Sequence, residues 1–73
     1  MALKSKDWVK MIRTRLDMSQ FEFAIKIGLS SNSVVSHWEC GTRTPSLKFC
    51  YKLINIAREL NIEISLEDLL TID

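Results

Sequence analysis

Asn32, Ser33, Ser36 and His37 stand at spacings of one, three and four in a stretch bounded by Glu39. On an α-helix those spacings gather side chains on one broad face, opposite Val35 and Trp38, which are three apart. The chemistry available there is hydrogen bonding by neutral groups. An asparagine amide can pair with an adenine edge, a serine hydroxyl can donate to or accept from several base edges, and an imidazole can donate to guanine or to a phosphate. Val34, beside them, can either touch a thymine methyl or complete a core.

Other chemistries find less support. Cys40, Cys50 and His37 are the soft metal ligands at hand, which is three where a closed zinc site needs about four, and they are not in paired spacing. No metal and no cofactor is therefore expected. A triad would have to use His37, which sits beside Trp38 on a short helix with no pocket implied. Gly28 and Gly41 are too far apart to form a phosphate-cradling loop. An enzyme is not expected.

The elements that must hold this face can be read from caps and breakers. One proline and two glycines in 73 residues leave few interruptions, so the chain reads as all-α. Ser5 is a cap for a first helix over about 6–16, with Asp7 in its first turn and an inward stripe of Trp8 or Val9, Ile12 and Leu16. Ser19 with Glu22 forms a capping box and starts a second helix over 20–27, lined by Phe23, Ala24 and Ile27 and ended by Gly28. Ser31 or Asn32 caps the third helix, 32–39, which Gly41 closes. Thr44-Pro45 starts a fourth, 45–60, with Leu47, Cys50, Leu53 or Ile54, Ala57 and Leu60 inward. Ser65 with Asp68 starts a fifth, 66–70, and the alternating Ile62 and Ile64 before it leave an extended segment open.

Composition sets the scale. With 47% hydrophobic and 26% charged residues, 73 residues make one small globular domain with a thin core. The longest uncharged run, Ile27 to Trp38, is twelve residues, against about 20 for a membrane span, so no membrane association is expected. Lys4, Lys6 and Asp7 stand where a signal peptide would be apolar, and a cytoplasmic location with reduced thiols follows as an expectation. The net charge of +1 conceals a division. Residues 1–52 hold nine Lys or Arg against four Asp or Glu, and residues 53–73 hold one Arg against five acids, so the body is +5 and the end −4. A basic body suits a polyanion as partner.

Two short helices joined by a glycine turn form a helix-turn-helix, whose second helix enters the DNA major groove. The run Ser19-Gln20-Phe21-Glu22-Phe23-Ala24-Ile25-Lys26-Ile27-Gly28-Leu29-Ser30 resembles the "SQxELAxKxGVS" core of the Cro and phage-repressor type of this arrangement. Val35-Ser36-His37-Trp38-Glu39-Cys40-Gly41-Thr42-Arg43-Thr44-Pro45-Ser46-Leu47 resembles its continuation, "ISRWExGxRxPSL". The likeness runs from about Trp8 to Leu60. One departure in spacing matters: Gly28 and Gly41 are thirteen steps apart instead of twelve, with the extra residue among Leu29, Ser30, Ser31 and Asn32.

The resemblance implies a compact five-helix, lambda-repressor-like domain whose helices two and three make the helix-turn-helix. It implies base contacts from Asn32, Ser33, Ser36 and His37, and phosphate contacts from Gln20, Ser31, Arg43 and Lys48, with Gln20 also able to brace the recognition helix. Lys10 and Lys26 are weaker phosphate candidates that equally suit a solvated face. Arg13 and Glu39 match an ion pair that fixes the third helix against the first. Trp8 and Trp38 lie on inward stripes and read as core. The implied partner is double-stranded DNA carrying an inverted repeat, bound by a homodimeric repressor. Ile62, Ile64, Leu66, Leu69 and Leu70 are either the dimer surface or simply the closure of the core. Relatives of this kind include phage regulators, restriction-modification controllers and antitoxins, and the alternative is an antitoxin or adaptor-type protein-interaction module with weak or secondary DNA binding, for which a toxin is the partner.

Overall fold

The structure, a computed structural model, describes residues 3–71, and everything below concerns those residues. Five α-helices follow one another: α1 (Ser5–Arg15), α2 (Gln20–Lys26), α3 (Ser33–Cys40), α4 (Leu47–Glu59) and α5 (Leu66–Leu70). The fold is all-α. The segment 61–65 contains no strand, and the alternation of Ile62 and Ile64 serves an irregular link instead.

Local chemistry explains most of the starts. At α2 the Glu22 amide donates to Ser19 Oγ (3.1 Å) while the Ser19 amide donates to Glu22 Oε1 (2.9 Å). Ser65 and Asp68 repeat this reciprocal pair at α5, at 3.2 and 3.0 Å. At α1 the cap is Lys4 and not Ser5. Asp7 decides this, because its carboxylate accepts from the amide three residues back, that of Lys4, at 3.0 Å. Ser5 falls inside the first turn, buried, where its amide donates to the Thr71 carbonyl (3.0 Å) and ties the two ends of the domain together.

The α4 start also differs from the sequence expectation. Thr44-Pro45 does not open the helix; Ser46 stays extended (φ −70°, ψ 167°) and α4 begins at Leu47. Pro45 is a core residue whose carbonyl accepts the Cys50 thiol at 3.4 Å. Leu47, expected inward, is 55% exposed, because the later start turns the first position outward. The buried stripe of α4 is Cys50, Leu53 and Ala57.

Four helices end alike. After α1, α2, α3 and α4 a left-handed residue (Asp17, Gly28, Gly41 and Asn61, φ between 55° and 95°) folds the chain back. The next amide then reaches the carbonyl five residues earlier: Met18 to Arg13, Leu29 to Ala24, Thr42 to His37 and Ile62 to Ala57. Each is a Schellman motif, which satisfies carbonyls the helix leaves open.

One cluster unites the helices: Val9 and Ile12, Phe23, Ala24 and Ile27, Val35 and Trp38, Cys50, Leu53 and Ala57, with Ile64 and Leu69. α1 packs against α3, α4 and α5, α2 against α3, and α4 against α5. The radius of gyration is 10.9 Å, close to the roughly 11 Å of a compact chain of this length. Among the described residues no helix is long and apolar enough to cross a membrane.

Candidate nucleic-acid interface

α3 is anchored from one side. Val35 and Trp38 are buried, and Trp38 meets the Phe49 ring of α4 at 5.5 Å between centroids, tilted by 55°. Asn32, Ser33 and His37 are exposed and Ser36 is half-buried, so the four share the side of α3 turned from the core. Val34 is half-buried and packs against the core cluster. The Asn32 backbone is already helical at the cap position (φ −86°, ψ −2°), and its side chain makes no capping bond. Its amide is thereby left open to a ligand. Ser31 is exposed, with its hydroxyl 2.9 Å from that of Ser33.

The link from α2 to α3 runs from Ile27 to Asn32, longer than the three or four residues usual in a helix-turn-helix. It is held from outside. Lys52 of α4 donates its ammonium to the Ile27 carbonyl at 2.9 Å, where the carbonyl end of α2 favours a cation. Lys52 carries no local sequence signal, since its partner is 25 residues away. The same ammonium lies 5.7 Å from the Phe49 centroid, and that of Lys48 lies 5.8 Å from it.

The far end of α3 is clamped by charge. Arg13 Nε donates to Glu39 Oε2 at 2.6 Å and its terminal nitrogen to Oε1 at 3.0 Å, a two-pronged pair. The side chains are 16% and 6% exposed. The third arm of the guanidinium donates to the Met18 carbonyl at 2.9 Å. Gln20 joins from α2, donating Nε2 to Glu39 Oε1 at 3.3 Å. Three helices thus converge on one carboxylate, which raises the Arg13 pKa through the hydrogen bond first and through charge as well, against the lowering effect of burial. Gln20, matched by resemblance to a phosphate contact, is half-buried and engaged in this brace.

Arg43 and Lys48 are exposed beyond the end of α3, as are Lys10 and Lys26 on α1 and α2. A feature not read from the sequence lies in the loop. Thr42 Oγ1 donates to the His37 carbonyl at 3.1 Å and sits 3.3 Å from His37 Nδ1. The left-handed Gly41 folds Thr42 back onto the helix end.

The acidic end does not offer the five apolar residues together. Leu69 is fully buried and Ile64 is 9% exposed, so both close the core. Ile62 and Leu66 are half-buried against the core, and Leu70 is exposed. Ile62 and Ile64 instead help line a shallow groove with Ile54, Arg58, Asn61 and Glu63.

A protein-family model described as "Helix-turn-helix" matches residues 9–66. No curated protein and no solved structure matches the chain. The family match runs from within α1 to the first residue of α5 and covers the clamp, the turn and the outward face of α3. The chain therefore belongs to the helix-turn-helix family of Cro/C1 type, the DNA-binding transcription regulators.

Proposed function

We propose that this protein is a repressor that binds an inverted-repeat operator as a homodimer and reads bases in the major groove from α3. The observation that carries the reading is the outward quartet Asn32, Ser33, Ser36 and His37 on a helix pinned from behind by Val35 and Trp38 and at its end by Glu39. Asn32 reads an adenine edge and the serines read adjacent base edges. Ser31, Arg43 and Lys48 contact phosphates; Gln20 orients α3 through Glu39. In this reading affinity rests on charge outside α3, because the helix carries no Lys or Arg.

Two copies meet at the groove through Ile54, Arg58, Asn61, Ile62 and Glu63. A two-fold contact presents each Arg58 to the other copy's Glu63, which is self-complementary. A body 30 Å in its longest dimension suits half-sites about 34 Å apart.

Selection of duplexes from a random pool tests this reading, and an inverted repeat is the expected motif. Asn32→Ala is expected to lose about 1–3 kcal/mol of discrimination at one base pair in each half-site. Arg43→Ala is expected to weaken binding to all sequences alike and to reduce the salt slope by about 0.9 for each phosphate no longer neutralised. The second reading, a module that binds a toxin-like protein, is favoured by one observation: Phe21 and Ile25 on α2, and Leu47 and Tyr51 on α4, are exposed apolar pairs four residues apart. It prevails if neither substitution alters DNA binding while a protein partner co-purifies.

A further inference from the structure

The Thr42 hydroxyl has one proton, and two His37 atoms lie within its reach. Thr42 Oγ1 lies 3.1 Å from the His37 carbonyl oxygen, which can only accept, so the hydroxyl is the donor in that bond. The same oxygen lies 3.3 Å from His37 Nδ1. In the arrangement where the hydroxyl donates to the carbonyl, it can only accept from the ring, and Nδ1 then carries a hydrogen. In a neutral imidazole one nitrogen donates and the other accepts. The exposed Nε2 is then the acceptor.

Thr42 is held there independently of its side chain, because its amide also donates to the His37 carbonyl at 3.2 Å as part of the α3 ending. Backbone geometry at the left-handed Gly41 thus delivers the hydroxyl to the ring.

We propose that Thr42 is a positioning residue for specificity: it fixes His37 in the tautomer whose Nε2 accepts, so α3 selects a base presenting an amino group. The inference rests on the operator-reading proposal above. In the major groove those bases are adenine, through N6, and cytosine, through N4; guanine and thymine present acceptors that repel an Nε2 lone pair. This reverses the donor role that the residue type alone suggests for His37. The preference at the base facing His37 is expected to be about two- to thirteenfold, the range of one net hydrogen bond.

Two measurements on the full chain test it. Long-range proton–nitrogen correlation spectra of the free protein in its neutral-ring form are expected to show a protonated Nδ1 and a bare Nε2. Thr42→Val is expected to move the ring toward the Nε2-protonated form, and Thr42→Ser to restore the original pattern. Duplex selection is expected to give adenine or cytosine at one position per half-site with the original chain and Thr42→Ser. With Thr42→Val that preference is lost or reversed while the rest of the motif stands. An Nε2-protonated ring in the original protein overturns the inference whatever the DNA result. An enriched motif whose every position is unchanged by Thr42→Val overturns the inference and leaves the operator reading intact. No enriched motif overturns both.

Discussion

Glu39 is the residue on which the attitude of α3 depends. Its carboxylate accepts two bonds from Arg13 and one from Gln20, and its side chain is almost enclosed. Removing one partner of such a pair leaves the other charge without compensation in a poorly solvated place. Glu39→Gln or Arg13→Met alone is therefore expected to cost on the order of 3 kcal/mol in urea unfolding, and the double substitution less than the sum of the two. A sum that is simply additive would refute the coupling. Cys50 gives a second test. It is fully buried, and burial pushes its thiol pKa up. The protonated thiol is the form the fold prefers, so its contribution is complete below the ordinary thiol value of about 8.5 and is lost as the pH rises through the higher folded value. The stability difference between the original chain and Cys50→Ala is expected to narrow as the pH rises above the ordinary thiol value of about 8.5, measured by unfolding at each pH. Cys40, exposed on α3, is expected to react with a thiol reagent well before Cys50.

At the scale of elements, helix ends carry the definition of this fold. α2 has seven residues and α3 eight, too short to persist alone in water. Both are bounded by a cap or a left-handed residue and buried along one side. Gly28 shows the requirement most sharply. Its φ is +95°, and a Cβ there would stand 3.1 Å from the Lys52 ammonium that holds the Ile27 carbonyl. Gly28→Ala is expected to cost about 1–2 kcal/mol by thermal unfolding, from the left-handed backbone and displacement of Lys52. Gly41→Ala is expected to do the same and also to disturb Thr42. The helix ends show where local reading works. The Ser19–Glu22 and Ser65–Asp68 pairs, and the glycines after α2 and α3, are recognisable because donor and acceptor lie within three residues or because only glycine takes that backbone easily. Asp17 and Asn61 make the same turn, yet their types do not announce it. Ser5 suits a cap by type, but Asp7 selects Lys4 by reach.

At the scale of the whole molecule, surfaces are assigned by what the core has already taken. Ile64 and Leu69 are enclosed, which leaves Ile54, Arg58, Ile62 and Glu63 at the groove as the face for a second copy. If two copies meet there, Arg58→Glu or Glu63→Arg places like charges across the two-fold axis. Each is expected to shift sedimentation toward monomer, and the double exchange to restore the dimer. Restoration failing while each single variant stays folded would remove this groove as the interface. Monomers are expected to bind half-sites far more weakly, because a dimer adds the second half-site at high effective concentration.

Periodicity, caps and breakers by themselves determined that five helices form and which sides of α2 and α3 turn inward, because a stripe at helical spacing must bury itself wherever the helix lies. The same local pattern named the outward quartet of α3. Tertiary structure alone decided the rest: that Pro45 enters the core and delays α4, that Lys52 grips a carbonyl 25 residues away, and that the acidic end uses Ile64 and Leu69 for closure. It also brought the Thr42 hydroxyl back to the His37 ring, through the left-handed Gly41. These depend on which distant groups meet, and spacing along a chain carries that information only within a turn or two of helix.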